Sequence, residues 1–500
     1  MNFCARSATP PRLFFRKTVL LMLALASVPV IQGAAHIPNA AHGSATASAS
    51  ITRLEKNIPT LMKEAETPGL SIGFIADGQT WVHGFGVTDQ KTNNLVTEDT
   101  IFNAASLSKT VFSYGVLKLV DQGKIGLDVP LSTYLPKPYI EGDDRLQKIT
   151  ARFVLSHRTG FPNWRGDDPL KIYFTPGERF SYSGEGMVYL QKVVEQITGK
   201  PLNDFMQESV FSPLGMKNSS YVWRKDFDSH AATGHEIDGT EASVLKPNDA
   251  NAAASLETTA RDYSTFLAAV LAGTGLKAAT LHEMETPQIA VNPECTNCTT
   301  QSPKELSKDL FWGLGWGIEK TAQGESLWHW GDNGVYKAYV ALNIDRKSGV
   351  VIFISSENGL SIAEDVVRDA DGGDQPALRW LKYDRYNSPA IRFAIAVRRK
   401  GTATALKEFS SDLANGSLSE GALNQEGYHL MNAKQMDDAI LVFQKNVELH
   451  PASANTYDSL GEAYMNNHEN DLAIKSYEKS LELNPNNANA VAMLKKIRGQ

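Results

Sequence analysis

The feature that most restricts what this chain can fold into lies near its C-terminus, where the sequence repeats itself every 34 residues. Residues 427–455 and the segment 34 positions later share 12 identities in 29 positions, among them Gly427/Gly461, Ala439/Ala473, Ile440/Ile474, Leu449/Leu483 and Pro451/Pro485. Composition alone would produce roughly two. Phe443 and Tyr477 hold the aromatic position, and Ala405, Leu406 and Phe409 keep the phase one period earlier. A unit of this length is one helix pair that cannot bury its apolar face alone, so neighbours must stack. The period predicts a helical array over 388–500, with clear repeats at about 422–455 and 456–489 and a degenerate unit over about 388–421.

The other end carries an address. Arg16-Lys17 precede the apolar run Val19 to Ile31, too short for a confident span but suited to a signal peptide. Gly33-Ala34-Ala35 is a small-residue cleavage site, with Ala24-Leu25-Ala26 as the second choice and an uncleaved anchor as the alternative. Residues 1–35 are therefore expected to be removed, leaving a periplasmic or secreted protein with no stable membrane span. Cys4 lies before the apolar run and cannot be a lipoprotein acceptor at its end. The whole chain carries a net charge of −7, and the leader takes four positive charges and no acid with it, leaving −11. An acidic chain without a basic stripe argues against a nucleic-acid partner. With 42% hydrophobic and 21% charged residues, the composition also excludes a wholly disordered chain and a polytopic membrane protein. Export leaves Cys295 and Cys298 in a polar segment. A lone C-x-x-C with no βαβ pattern and no second ligand pair suits a small disulfide or two idle thiols better than a redox or zinc site, so no metal or other cofactor is expected.

Between the ends, residues 40–50 are small and polar and read as a flexible lead-in. Residues 69–87 read as a β-hairpin turning at Asp77-Gly78. Helical periodicity runs from Ser106 to about Gln122 and returns near 184–198 and 259–272; strand-like runs follow at 311–319, 336–344 and 349–355. Strands, a helical middle and strands again predict an α+β domain over 51–385 whose sheet is completed by its later part.

Ser106 and Lys109 open the first helical run in Ala105-Ser106-Leu107-Ser108-Lys109-Thr110. Three residues apart on a helix, they share a face. A serine hydroxyl is a poor nucleophile until a base or cation activates it, and a buried lysine with a lowered pKa can be either. The helix N-terminus adds positive potential and free N–H groups.

Further motifs follow in order. They are Leu155-Ser156-His157-Arg158-Thr159-Gly160, Pro176-Gly177-Glu178 leading to Tyr182-Ser183-Gly184, Pro213-Leu214-Gly215-Met216, Gly313-Leu314-Gly315-Trp316-Gly317, and His329-Trp330-Gly331. This set resembles the serine β-lactamase and penicillin-binding protein family, which holds class C β-lactamases, D-Ala-D-Ala peptidases, D-aminopeptidases and carboxylesterases. The 34-residue units resemble tetratricopeptide repeats. The resemblance implies an antiparallel sheet flanked by helices with an all-helical insertion, followed by an all-α array. It implies Ser106 as acyl-accepting nucleophile, Lys109 as the group that polarises it and shuttles its proton, and Tyr182 as general base and then acid. The N–H groups of Ser106 and Asp332 would bind the oxyanion, with His329 orienting Tyr182 or contacting the substrate. Gly184, Trp330 and Gly331 would border the pocket, Trp330 and Trp316 as lining or core, and His157 would be structural.

Two departures matter. Gly184 stands where class C β-lactamases carry the Asn of Tyr-x-Asn, with Glu185 beside it as a conceivable substitute. His329 replaces the cationic Lys of Lys-Thr-Gly and Trp330 its Thr. Losing an amide donor and a fixed charge weakens β-lactam recognition. The expectation is an exported serine hydrolase cleaving an ester or amide in a small-molecule or peptide substrate, with a tail that docks a protein partner and can be removed without loss of small-substrate catalysis. The alternatives are a β-lactamase or D-Ala-D-Ala carboxypeptidase, or a catalytically dead hydrolase fold serving as a scaffold.

Overall fold

The computed structural model describes residues 45–300 and 302–499. The expected leader, its cleavage sites and Cys4 lie outside the described residues. Among those described, no helix is long and apolar enough to cross a membrane.

Helix α1 (Ala45–Glu64) begins inside the stretch whose composition reads as a flexible lead-in. Tertiary contact decides the matter there. Ala47 and Ser50 are buried, Arg53 donates to the Asp369 carbonyl at 3.0 Å and Asn57 to the Asp369 carboxylate at 2.8 Å. Packing against the helix Ala363–Asp371 thus stabilises turns that propensity alone leaves open.

Strands β1 (Gly69–Ala76) and β2 (Gln79–Gly86) form the expected hairpin. Asp77 and Gly78 both have positive φ, as a tight two-residue hairpin turn requires. β3 (Phe102–Asn103) and β4 (Glu257–Thr258) pair separately. β5 (Ile289–Ala290), β6 (Leu310–Trp312), β7 (Gly317–Thr321), β8 (Gly324–Asp332), β9 (Lys337–Asn343) and β10 (Ser348–Ile354) join the hairpin in one antiparallel sheet of order β2-β1-β10-β9-β8-β7-β6-β5. The stretch 311–319 is therefore two strands, not one run. Gly315, at φ +85°, turns the chain between them.

The sheet is covered on both faces, which is why β9 and β10 are buried along their whole length. Val351 and Phe353 pack with helix α2 (Ser108–Asp121) and the helices Gly184–Thr198 and Ala260–Leu271. Val350, Ile352 and Ile354 point the other way, toward α1 and Ala363–Asp371. The result is an α+β fold, an antiparallel sheet flanked by helices, as the motif set implied.

The C-terminal residues form helix pairs: Glu420–Asn432 with Met436–Leu449, and Ala454–Asn466 with Asn470–Leu483, followed by Ala488–Arg498. The repeated glycine has a steric reason. A Cβ at Gly427 would lie 2.5 Å from the Phe443 ring, and one at Gly461 would lie 3.1 Å from Tyr477. Polar contacts repeat too: Asn446 donates to the Glu420 carbonyl at 3.0 Å, and Ser480, one period on, to the Ala454 carbonyl at 2.8 Å. The stretch expected to hold a degenerate unit forms Pro389–Lys400 followed by two short helices, Thr402–Glu408 and Ser410–Ala414, with Ala405 and Phe409 in the shared core. Between array and sheet domain, Arg399 donates to Glu66 and to the Asp238 carbonyl, and His429 pairs with Glu357 at 3.2 Å.

Candidate active site

The chain enters the site through β3. The Asn103 side chain accepts from the Ala105 N–H at 3.0 Å, and Ala105 is held at φ +47°, a left-handed conformation costly for alanine. A single tight turn, Ala105–Leu107, then leads into α2 and leaves Ser106 half-buried at its start. The turn is braced from below. Asn103 donates to Glu257 at 2.6 Å and accepts from Asn333, which also donates to the Ala254 carbonyl. Burial pushes the Glu257 carboxyl up to about 8 and the Asn103 amide offsets part of that, so this carboxyl is mostly neutral at pH 7.

Lys109 is fully buried one turn along. Its Nζ donates to Ser106 Oγ at 2.9 Å and to the Ala253 carbonyl at 2.7 Å. Among the described residues no carboxylate compensates it, and burial brings its pKa down to about 7. The second bond answers the question raised by Gly184: a backbone carbonyl, not Glu185, is Lys109's other partner. Glu185 instead accepts from the Arg165 N–H at 3.3 Å. A Cβ at Gly184 would lie 2.7 Å from the Trp164 ring. That indole, 47% exposed, covers the site with its ring centre 5.9 Å from Lys109 Nζ.

Tyr182 lies across from Ser106, its ring centre 4.9 Å from Lys109 Nζ. Burial pushes its hydroxyl well above the ordinary value, and the Ser106 hydroxyl beside it opposes part of that shift. The Tyr182 oxygen completes no hydrogen bond among the described residues. The backbone around it is fixed at three successive N–H groups. Ser181 donates to the His157 carbonyl at 2.9 Å, Tyr182 to the Thr296 carbonyl at 2.9 Å, and Ser183 to His157 Nδ1 at 3.0 Å. His157 is thus structural in a specific sense: it grips the tyrosine's neighbours, and its ring lies tilted against Tyr182 with the centres 4.3 Å apart.

His329 is buried on β8, and burial, then the Lys109 charge, holds its pKa down to about 3. Its Nδ1 lies 2.8 Å from the Trp330 carbonyl, so Nδ1 carries the proton and Nε2 presents a lone pair with no partner among the described residues. Trp330 packs behind Tyr182 at 4.6 Å, within a cluster that includes Trp312, Trp328 and Trp380, rather than lining open space. Gly331 lets β8 approach the nucleophile turn, since a Cβ there would sit 2.6 Å from the Ala104 carbonyl. Asp332 follows, its carboxylate held by Lys337 and by the Tyr383 hydroxyl at 2.6 Å.

Ser106, Lys109, Tyr182, His329, Gly331 and Gly184 therefore come together. Trp164, Ala253, Asn103 and the loop carrying Thr296 belong to the same neighbourhood and escape sequence reasoning, because none carries a local motif. Cys295 and Cys298 in that loop are joined in a disulfide.

The Beta-lactamase family model matches residues 54–372, and the tetratricopeptide repeat model matches residues 454–487. Penicillin-binding protein 4* of Bacillus subtilis (strain 168) is 22% identical over 323 residues, covering 58% of this chain and 68% of that protein. Penicillin-binding protein 4 of Amycolatopsis lactamdurans is 26% identical over 197 residues, 36% of this chain and 52% of the relative, so the match spans about half of that protein's length. In fold, the chain is similar to the β-lactamase/D-alanine carboxypeptidase from Pseudomonas syringae. That likeness has a TM-score of 0.55 at 18% identity and covers 64% of this chain and 99% of that one.

Proposed function

Because the chain belongs to the Beta-lactamase family, whose chemistry is serine hydrolysis, we propose that it is an exported hydrolase that cleaves an ester or amide through an acyl-enzyme on Ser106. One observation carries the reading: a fully buried, uncompensated lysine 2.9 Å from Ser106 Oγ, with its pKa brought to about 7. A lysine in that range is a free amine half the time at neutral pH and can take the serine proton.

The steps follow. Ser106 Oγ attacks the acyl carbon while its proton passes to Lys109. The N–H groups of Ser106 and Asp332 stabilise the oxyanion, with Gly331 allowing the close approach of β8 that such a pair needs. The bond to the leaving group breaks and that group takes a proton from Tyr182, which Lys109 replenishes. Water then releases the acyl group by the reverse path. Lys109, rather than Tyr182, is the resting base, since burial disfavours a tyrosinate and favours a neutral amine. His329, neutral near pH 7, offers Nε2 as an acceptor and no charge to attract a carboxylate.

Esters and peptide-like amides therefore suit the site better than β-lactams. The names of the relatives favour a second reading, a penicillin-binding carboxypeptidase. Export is supported by the leader-like N-terminus and by the Cys295–Cys298 disulfide, which suits an oxidising compartment. Intact-mass measurement of the protein trapped with a p-nitrophenyl ester should show one acyl adduct, mapped to Ser106 and absent in Ser106→Ala. An adduct elsewhere sinks the assignment. Rapid nitrocefin turnover would replace the esterase reading by the β-lactam one.

A further inference from the structure

The loop closed by Cys295 and Cys298 lies far from Tyr182 in sequence and touches it directly. Of the three backbone N–H groups that fix the tyrosine segment, His157 receives the outer two; the middle one, Tyr182's own, donates to the Thr296 carbonyl inside the disulfide loop. The same loop is tied to the segment a second time. Arg179, three residues before Tyr182, donates to the Cys298 carbonyl at 3.1 Å and the Thr299 carbonyl at 2.9 Å, with its guanidinium 4.1 Å from the Phe174 ring centre. On its far side, the Asn292 carbonyl accepts from the Trp380 indole at 2.7 Å.

The loop's other bonds sit at its entry: the Glu294 N–H donates to the buried Asn292 side chain at 2.8 Å, and Lys382 donates to the Glu294 carbonyl at 3.1 Å. Glu294 and Asn297 are exposed, Cys295 and Thr296 are half-buried, and only Cys298 reaches the core. A four-residue ring closed by a disulfide has few conformations, so its carbonyls point in fixed directions. Opening the ring removes that constraint from the Thr296 carbonyl.

We propose that the Cys295–Cys298 loop is a positioning brace for the Tyr182 hydroxyl, and that its reduction by a dithiol selectively impairs proton delivery to the leaving group. The inference rests on the reading of Tyr182 as proton donor. Proton transfer tolerates only small misplacement, so freeing the Tyr182 amide affects catalysis before it affects folding. The exchange is balanced. A dithiol thiolate attacks the Cys295 sulfur, the Cys298 thiolate leaves and is protonated, and the reductant's second thiol closes on the mixed disulfide. The products are two protein thiols and one oxidised cyclic disulfide.

The test compares two esters of one acyl group on the full chain. A p-nitrophenyl ester leaves as a stable anion and needs no proton; an ethyl ester leaves as an alkoxide and does. Reduction with dithiothreitol should lower kcat/KM for the ethyl ester by at least about tenfold and leave the aryl ester within about twofold, since only one of them needs the acid. The Cys295→Ser/Cys298→Ser double variant should show the same contrast, reoxidation of the wild type should restore ethyl-ester turnover, and the reduced protein should still unfold cooperatively. An equal fall for both esters, no change on reduction, or loss of cooperative unfolding overturns the brace. Tyr182→Phe separates the two layers. Should it show the ester contrast while reduction does not, the brace alone is wrong. Should it lack the contrast, the role given to Tyr182 fails and the brace fails with it.

Discussion

The repeat array and the catalytic neighbourhood place their information in opposite ways. In the array, a contact is written once and copied: Gly427 against Phe443 becomes Gly461 against Tyr477, and the Asn446–Glu420 contact becomes Ser480–Ala454. Each unit draws its apolar packing chiefly from its neighbours. In the site, no contact repeats. Ser106 and Lys109 share one turn, but Tyr182, Ala253, Thr296 and His329 each arrive from a separate segment, and the Tyr182 hydroxyl and the Nε2 atoms of His157 and His329 lie buried without partners among the described residues. Buried polar groups left open are costly, and a fold retains them where a substrate or a moving proton completes them. The array carries open groups as well, at Asn424, Asn446 and Tyr477, but spaced along its helices, whereas those of the site converge around Lys109.

Substitutions can break that contrast. The largest effect falls on Lys109. Lys109→Ala should cost at least about 10²-fold in kcat, and combining it with Tyr182→Phe should add far less than the product of the two losses, because both serve one proton path. Steady-state kinetics on an activated ester checks this, and near wild-type turnover removes Lys109 from the mechanism. The wild-type pH profile sharpens the point: kcat/KM should rise with pH through about 7, as Lys109 loses the proton that blocks it as a base. In the array the same kind of change should act on cohesion alone. Gly427→Val forces a side chain onto the Phe443 ring and should cost ~1–3 kcal/mol in the array's unfolding while small-ester hydrolysis persists; a parallel loss of activity would show the array to be part of the site. Removing residues 388–500 should likewise leave a folded, active hydrolase, since the bonds to the sheet domain are few and polar.

The smallest effect concerns the pair between the two regions. The Glu357 carboxylate, with smaller help from Glu426, raises His429 above its ordinary 6.5 against burial and the Arg398 charge. A raised histidine stabilises the folded contact fully below its unfolded value and loses that contribution as pH climbs through the raised one. The pair is partly solvated, so the effect is modest. The array should dock less firmly at about pH 9 than at about pH 6, and His429→Gln should flatten the difference, read as the protease sensitivity of the Tyr383–Ser388 connection.

What could be read in advance follows the same division. The 34-residue period, the hairpin at Asp77-Gly78 and the Ser106–Lys109 spacing are local patterns, and all reappear in the structure. The lead-in at 45–50 was illegible because Ala and Ser follow whatever packs on them, here the helix Ala363–Asp371. The break within 311–319 hid in one residue, Gly315, whose left-handed turn an apolar run does not announce. Within the site, the grip of His157 on Ser181 and Ser183, the carbonyl of Ala253 and the roof of Trp164 involve backbone atoms or distant partners, and residue type says nothing about either.

Gly184 and Trp164 also bear on how such a site can change over generations. Any side chain at residue 184 meets the indole at 2.7 Å, so the amide that class C β-lactamases carry there cannot be restored by Gly184→Asn alone. Trp164 would have to shrink first, uncovering Lys109 to water and raising its pKa before the new amide arrives to compensate, and the Asn163 carbonyl, 2.9 Å from the same Cβ, would have to give way as well. The positions form an epistatic set with a valley between its ends, in which each single step is a loss. A chain that has placed an indole over its lysine is held on its side of the family by the order in which mutations must occur.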